Sequence, residues 1–167
     1  MELTETDIRS ALVTAYWMAL SSPDRSSQNG AILFDEQWSA RAMASNRFPS
    51  GVIETDERWE RPTKYQFVEH AERGVIYQAA RMGTSAAGLT MACAWAACAD
   101  CARAIVESGV AVLVRHNPDN APDHESWLAS IEVGDTIMRE GGVRVIDYKD
   151  PLPDAIPVLR NGRVWQP

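Results

Sequence analysis

No stretch of this chain approaches the roughly 18 consecutive apolar residues that a membrane-crossing helix requires, so a helical membrane protein is excluded. The opening Met1-Glu2-Leu3-Thr4-Glu5 is too acidic for a signal or transit peptide. Positive charge is scarce: 16 Lys and Arg stand against 23 Asp and Glu, a net charge of −7, with no dense basic run. Such a surface repels a phosphate backbone, so the expected partner is a small-molecule substrate and not a nucleic-acid polymer. Cysteine is sparse too. Three are present, an odd number with two in a C-x-x-C pair, which fits a reducing cytoplasm better than a disulfide framework. Internal repeats and low-complexity segments are also lacking.

What remains is 167 residues of which 46% are hydrophobic, enough for one well-buried domain over 1–167 and too few for two. Thr4 to Leu20 reads as a helix, with Thr4 capping it against Asp7 and Ile8, Leu12, Ala15, Tyr16 and Ala19 on one face. Residues 21–29 are a polar connector. Gly30 to Phe34 is a short apolar strand, Asp35 to Gln37 a turn, and Trp38 to Ser45 its antiparallel return. Asn46 to Gly51 is a loop, and the polar stretch from Val52 to Thr63 is expected to wind over the surface.

Val68 to Met82 follows as a helix burying Ile76, Ala79 and Ala80, ended by Gly83. Gly88 to Trp95 is a buried strand, Ala97 to Ser108 a helix, and Val110 to Val114 another strand. Asn117 to Asp123 is a loop, with His116 and His124 read as surface histidines. Ser126 to Glu140 is helical, Val143 to Ile146 a last strand, and 147–167 a tail with Trp165 free to dock. The order α-β-β-α-β-α-β-α-β predicts an α/β fold whose five-stranded mixed sheet carries an initial hairpin beside a parallel βαβαβ portion.

The chemistry concentrates between His70 and Cys101. His70-Ala71-Glu72 precedes Cys98-Ala99-Asp100-Cys101, so one imidazole and two thiolates offer three zinc ligands and leave a fourth position for water. The ligand groups fall at helix N-termini, where unpaired N–H groups favour thiolate, and the i, i+3 spacing puts both sulfurs on one side. Glu72 then moves protons between that water and a leaving amine. Two other readings stay open: a closed structural zinc site that adds Cys93, and a redox pair at Cys98 and Cys101. Cys93, in mid-strand, reads as a small core residue.

The pattern H-x-E…P-C-x-x-C marks the zinc nucleobase deaminases. With Gly30-Ala31-Ile32-Leu33, Asn46 to Gly51, Glu69 to Arg73, Cys98 to Ile105 and the Ser108-Gly109-Val110 turn, residues 28–115 resemble the cytidine and deoxycytidylate deaminase superfamily, in its dCMP deaminase-like branch. The resemblance implies a three-layer α-β-α fold, zinc on His70, Cys98 and Cys101, Glu72 as proton shuttle, Asn46 on the substrate sugar and the Ala71 backbone against the base. It further implies a homo-oligomer, which the apolar content and six Trp also suggest.

The expected activity is therefore zinc-dependent hydrolytic deamination of a pyrimidine nucleotide or related small amino-heterocycle. The alternatives are a free base, nucleoside or non-canonical ring, or a catalytically silent binding protein of this fold. Three features set the pocket apart: Gly74 where many such sequences have Asn, Ala97 in place of Pro, and Trp95 near the site. Together they predict a substrate bulkier than plain dCMP. Arg47, Arg103, Arg115 and His116 are the candidates for a phosphate.

Overall fold

The computed structural model describes residues 3–118 and 124–167. Its elements run α1 (Glu5–Ala19), β1 (Gly30–Phe34), β2 (Ala40–Ser45), α2 (Asp56–Trp59), α3 (Lys64–Phe67), α4 (Ala71–Arg81), β3 (Thr90–Cys93), α5 (Ala99–Glu107), β4 (Val112–His116), α6 (His124–Glu140), β5 (Arg144–Tyr148), β6 (Val158–Arg160) and β7 (Arg163–Trp165). The main sheet has the order β2-β1-β3-β4-β5. β1 pairs antiparallel with β2 and β3, while β3, β4 and β5 are parallel. The expected hairpin beside a parallel βαβαβ portion is what forms.

Side-chain alternation along the strands builds the layers. Ala31 and Leu33 of β1, with Met91 and Cys93 of β3, join Val75 and Ala79 of α4 and Ile105 of α5 in one core. The opposite-facing Ile32, Phe34 and Ala92 meet Ala11 of α1, and Leu12, Ala15, Tyr16 and Ala19 pack against Ala94, Val114 and the tail residues Leu152, Ala155 and Val158. The sheet is thus covered by α1 and the tail on one side and by α4, α5 and α6 on the other, the three-layer arrangement expected.

Local sequence explains the ends. Thr4 and Asp7 form a reciprocal capping box, so the first helix starts where its sequence says it should. At Gly30 the chain passes so close to α1 that a Cβ would stand 2.2 Å from the Ala15 carbonyl oxygen; only glycine permits that approach.

Several expectations are corrected. Ala80 is exposed, and the buried face of α4 is Ala71, Glu72, Val75 and Ala79. The polar stretch from 52 does run over the surface, partly as α2 with no buried residue, and leads through a cis Arg61–Pro62 bond into α3, whose Lys64 is buried. Within the polar connector 21–29, Ser22 and Asp24 are buried. His116 lies inside the protein, its Nδ1 2.6 Å from the Tyr16 hydroxyl and its Nε2 3.1 Å from the Asp150 carbonyl. The tail folds into a β6–β7 hairpin around Asn161-Gly162, and Trp165 does dock, stacking on His116 at 5.9 Å between ring centroids. The loop expected over 117–123 lies outside the described residues from 119 onward, as does the side chain of His124.

Candidate metal and active site

His70 and Cys98 are each the N-cap residue of their helix, α4 and α5, with extended backbone and no capping side-chain bond. Their side chains are therefore left free to converge. His70 Nδ1 stands 3.6 Å from Cys98 Sγ and 3.4 Å from Cys101 Sγ. The three donor atoms lie within 4.8 Å of one another, the one such group among the described residues. A tetrahedral zinc with bonds of about 2.0–2.3 Å needs donor atoms roughly 3.4–3.8 Å apart, so these residues fit the ion.

The electrostatics fit as well. Cys98 is pushed down to about 4, first by the hydrogen bond from Cys101 and then by His70, against the opposing effect of burial. Cys101 moves well up for the complementary reasons. A thiolate at Cys98 is the form in which a cysteine binds a soft divalent ion. Burial opposes protonation of His70, but the hydrogen bond its ring N–H donates to the Cys98 sulfur and the Glu72 charge outweigh it and raise its pKa.

Glu72 is fully enclosed, and burial, joined by the Cys98 charge, raises its carboxyl pKa against the pull of His70. It shares one cavity with His70, Cys98, Asn46, Trp95, Asn29 and Arg160, walled on the α6 side by Trp127 and Ile131. Trp127 meets the His70 ring edge-on at 5.8 Å.

Trp95 thus lines the cavity as anticipated, and so does Asn46. Ala71 and Ala97 place their side chains in the core, which leaves only backbone for contact with a ligand. Ala97 is backed by α6: a Cβ on Gly134 would be 2.9 Å from its carbonyl oxygen. Gly74 does not border the cavity. Its missing side chain would point at Ala44 of β2, 3.3 Å away, so it makes no extra room for a larger ring. The suggested phosphate contacts are also elsewhere. Arg115 is held by Asp135 and Asp147 at 2.6 Å each, Arg103 pairs with exposed Asp100, and Arg47 donates to Ser21 and Ser45.

The cations that do line the cavity are Arg61, Lys64 and Arg160, none of them singled out from the sequence. Lys64 is clamped on Asp24 at 2.8 and 3.0 Å. The Arg160 guanidinium carbon lies over the Trp95 indole, 3.6 Å from its centroid, and Nη2 donates to the Ala94 carbonyl, while its buried Nε has no partner among the described residues. Complete burial pushes it down to about 10, against the Tyr16 hydroxyl and the Cys93 and Glu72 charges. Asn-Gly between alternating apolar residues is a strong hairpin signal, and it was the available clue that Arg160 turns back into the fold.

A paired-thiolate and imidazole centre with a buried glutamate, on a five-stranded α-β-α frame, defines a zinc-site protein of deaminase type. A sequence model described as the cytidine and deoxycytidylate deaminase zinc-binding region matches residues 5–116, and the chain belongs to that family. A curated deoxycytidylate deaminase of Pongo abelii is 29% identical over 105 residues, 59% of this chain. The chain covers 58% of that relative's length, less than two thirds of it. Among solved structures, the dCMP deaminase of cyanophage S-TIM5, crystallised with dCMP and dUMP, gives a TM-score of 0.70 at 23% identity over 88% of this chain and 100% of that one. A diaminohydroxyphosphoribosylaminopyrimidine deaminase/5-amino-6-(5-phosphoribosylamino)uracil reductase of Thermotoga maritima gives 0.58 at 19% identity, over 84% of this chain and 36% of its own. At these identities the structural likeness is one of fold.

Proposed function

We propose that the chain is a zinc-dependent hydrolase that deaminates a pyrimidine nucleotide and releases ammonia. The observation that carries this is the enclosed Glu72 in the same cavity as His70 and Cys98, two of the three residues of the His70, Cys98 and Cys101 donor set. Zinc held by those three residues supplies an acidified water at its fourth position. Glu72, whose surroundings favour the protonated form, is a group able both to take a proton and to give one to a departing amine. A purely structural zinc site has no use for such a carboxylate.

A nucleotide is favoured over a free base by the cavity's cations. Asp24 is taken up by Lys64, which leaves Arg61 and Arg160 to suit an anionic substituent. The curated relative acts, by its name, on deoxycytidylate. Asn46 uses both amide hydrogens on Asp24 and Ser27, but its Oδ1 keeps a lone pair for a sugar hydroxyl. Trp95 and the backbone at Ala71 and Ala97 complete the proposed substrate contacts.

The same reading takes 1–167 as one domain and its setting as the cytoplasm, since its three cysteines are free thiols. No helix of the described residues is long and apolar enough to cross a membrane. It also takes the protein as a homo-oligomer, with exposed Trp17, Ile53, Tyr77 and Val133 offering apolar surface for another copy to cover; light scattering showing a monomer at micromolar concentration would remove that part.

The test of function is ammonia release from a panel of dCMP, 5-substituted dCMP, deoxycytidine and cytosine. Nucleotides should give the highest kcat/KM, and Glu72→Ala should cut turnover by roughly 10²–10⁴-fold while keeping its zinc. A panel without turnover, or a variant as active as the parent, would refute the assignment.

A further inference from the structure

The carboxylate of Glu72 receives one side-chain hydrogen bond among the described residues, and the donor is Asn29, the last residue of the connector before β1. Its Nδ2 is 3.3 Å from Glu72 Oε2. The amide cannot be turned the other way without loss, because its Oδ1 accepts the Gly30 N–H at 3.0 Å. On its other side the same Nδ2 lies 3.6 Å from the sulfur of Cys93, a core thiol that takes no part in the metal set. Asn29 is therefore wedged between β3 and the N-terminal turn of α4, and it borders the cavity.

Its backbone is held as firmly as its side chain. Asn29 N donates to Asn46 Oδ1 at 2.7 Å. Asn46 Nδ2 in turn donates to Asp24 Oδ2 at 3.2 Å and to the Ser27 carbonyl at 2.8 Å. Asp24 is fixed by Lys64 and by the amides of Ser26 and Ser27. A continuous chain of buried and half-buried polar groups thus runs from Lys64 of α3 to the Glu72 carboxylate. Its members are nearly all satisfied, the condition under which such a network rigidifies its surroundings.

We propose that Asn29 is the positioning residue of Glu72: its amide holds one carboxylate oxygen, leaving the other to exchange protons with the reacting groups. This rests on the reading of Glu72 as the proton-transfer group. A glutamate has three side-chain torsions, and in an enclosed site an oxygen without a donor is free to turn away from the reacting centre. An N–H fixed from below removes that freedom before substrate arrives. The assignment explains why a polar side chain stands between apolar Cys93 and the start of a strand that is otherwise buried along its length.

Two substitutions separate donor from shape. Asn29→Ala removes the donor; Asn29→Asp keeps the shape and sets a second acceptor against Glu72. With dCMP as substrate, both should lower kcat roughly ten- to hundredfold, with KM within about threefold and zinc content unchanged. Asp should be no better than Ala. If Asn29 only fills space, Asp restores the rate, and that outcome overturns the proposal, as does an equal loss in KM or a kcat at the parent level.

A second measurement needs no turnover. In zinc-loaded protein the side-chain amide protons of Asn29, identified by their loss in Asn29→Ala, should exchange slowly with water and lose that protection in Glu72→Ala. Exchange at the rate of a free asparagine in the parent protein overturns the pairing. If dCMP is not deaminated but the protection is found, the substrate reading fails while the Asn29–Glu72 pairing stands.

Discussion

Lys64→Met is the substitution whose effect the structure specifies most closely outside the metal set. The ammonium and the Asp24 carboxylate are both almost inaccessible, 5% and 3% exposed, at 2.8 Å. Removing the cation leaves a buried carboxylate whose charge nothing balances, a change that typically costs about 3–5 kcal/mol. Asp24 keeps the amides of Ser26 and Ser27 at 2.8 and 3.1 Å and Asn46 Nδ2 at 3.2 Å, which places the cost toward the lower figure. For a chain of this size about 1 kcal/mol moves the midpoint by roughly 2–4 °C, so Tm should fall by about 6–12 °C. Asp24→Asn in the same chain keeps the oxygen acceptor and deletes the charge, so the double variant should recover most of the loss. Thermal denaturation followed by circular dichroism decides. A fall below about 2 °C, or a double variant less stable than Lys64→Met alone, would show that the pair is not the buried ion pair described.

Two further outcomes follow from the same structure. The purified protein should carry one zinc per chain by elemental analysis, and Cys98→Ser or Cys101→Ser should lose it, because each removes one of only three donors. His116 is pushed from 6.5 down to about 4, chiefly by burial, with the Asp150 carbonyl opposing and the Arg160 charge assisting. A depressed histidine means that the unfolded chain binds the proton first. Stability should therefore be full above pH 6.5 and drain away as pH falls toward 4, by about 2 kcal/mol at pH 5. Urea unfolding at pH 7.5 and pH 5 should show that difference shrinking in His116→Gln; an equal pH dependence in both proteins would place the effect elsewhere.

What could be read from the sequence was whatever a short window contains. Thr4 and Asp7 sit three residues apart, and their capping box is complete in the fold. Cys98 and Cys101 share one helical turn, and His70 is set by the same rule at the start of α4. The short apolar runs at β1 and β3 marked both as buried strands. The misreadings share another cause: their partners are far along the chain. Asp24 sits in a polar segment whose sequence does not show its burial, because its cation is 40 residues away. His116 was assigned to the surface because its ring partner, Tyr16, is 100 residues distant. Gly74 stands close to His70 and Glu72 in sequence, but one step around a helix turns it toward β2. Proximity along a helix is not proximity in a pocket.

The matched stretch ends at residue 116, yet Arg160 of β6 is among the cavity's lining residues. Its guanidinium covers the Trp95 ring and lies 5.4 Å from the Trp165 centroid, so the hairpin brings both an aromatic and a cation against the pocket wall. Tyr16 of α1 and His116 of β4 close the other side of that cluster. An arginine buried with no carboxylate partner among the described residues is costly unless stacking and carbonyl contacts offset the lost hydration, and here both come from Ala94 and Trp95, the residues leading into α5. The chain's last strands and the start of α5 are thereby held against each other, so the shape of the cavity depends on residues about sixty positions past Cys98.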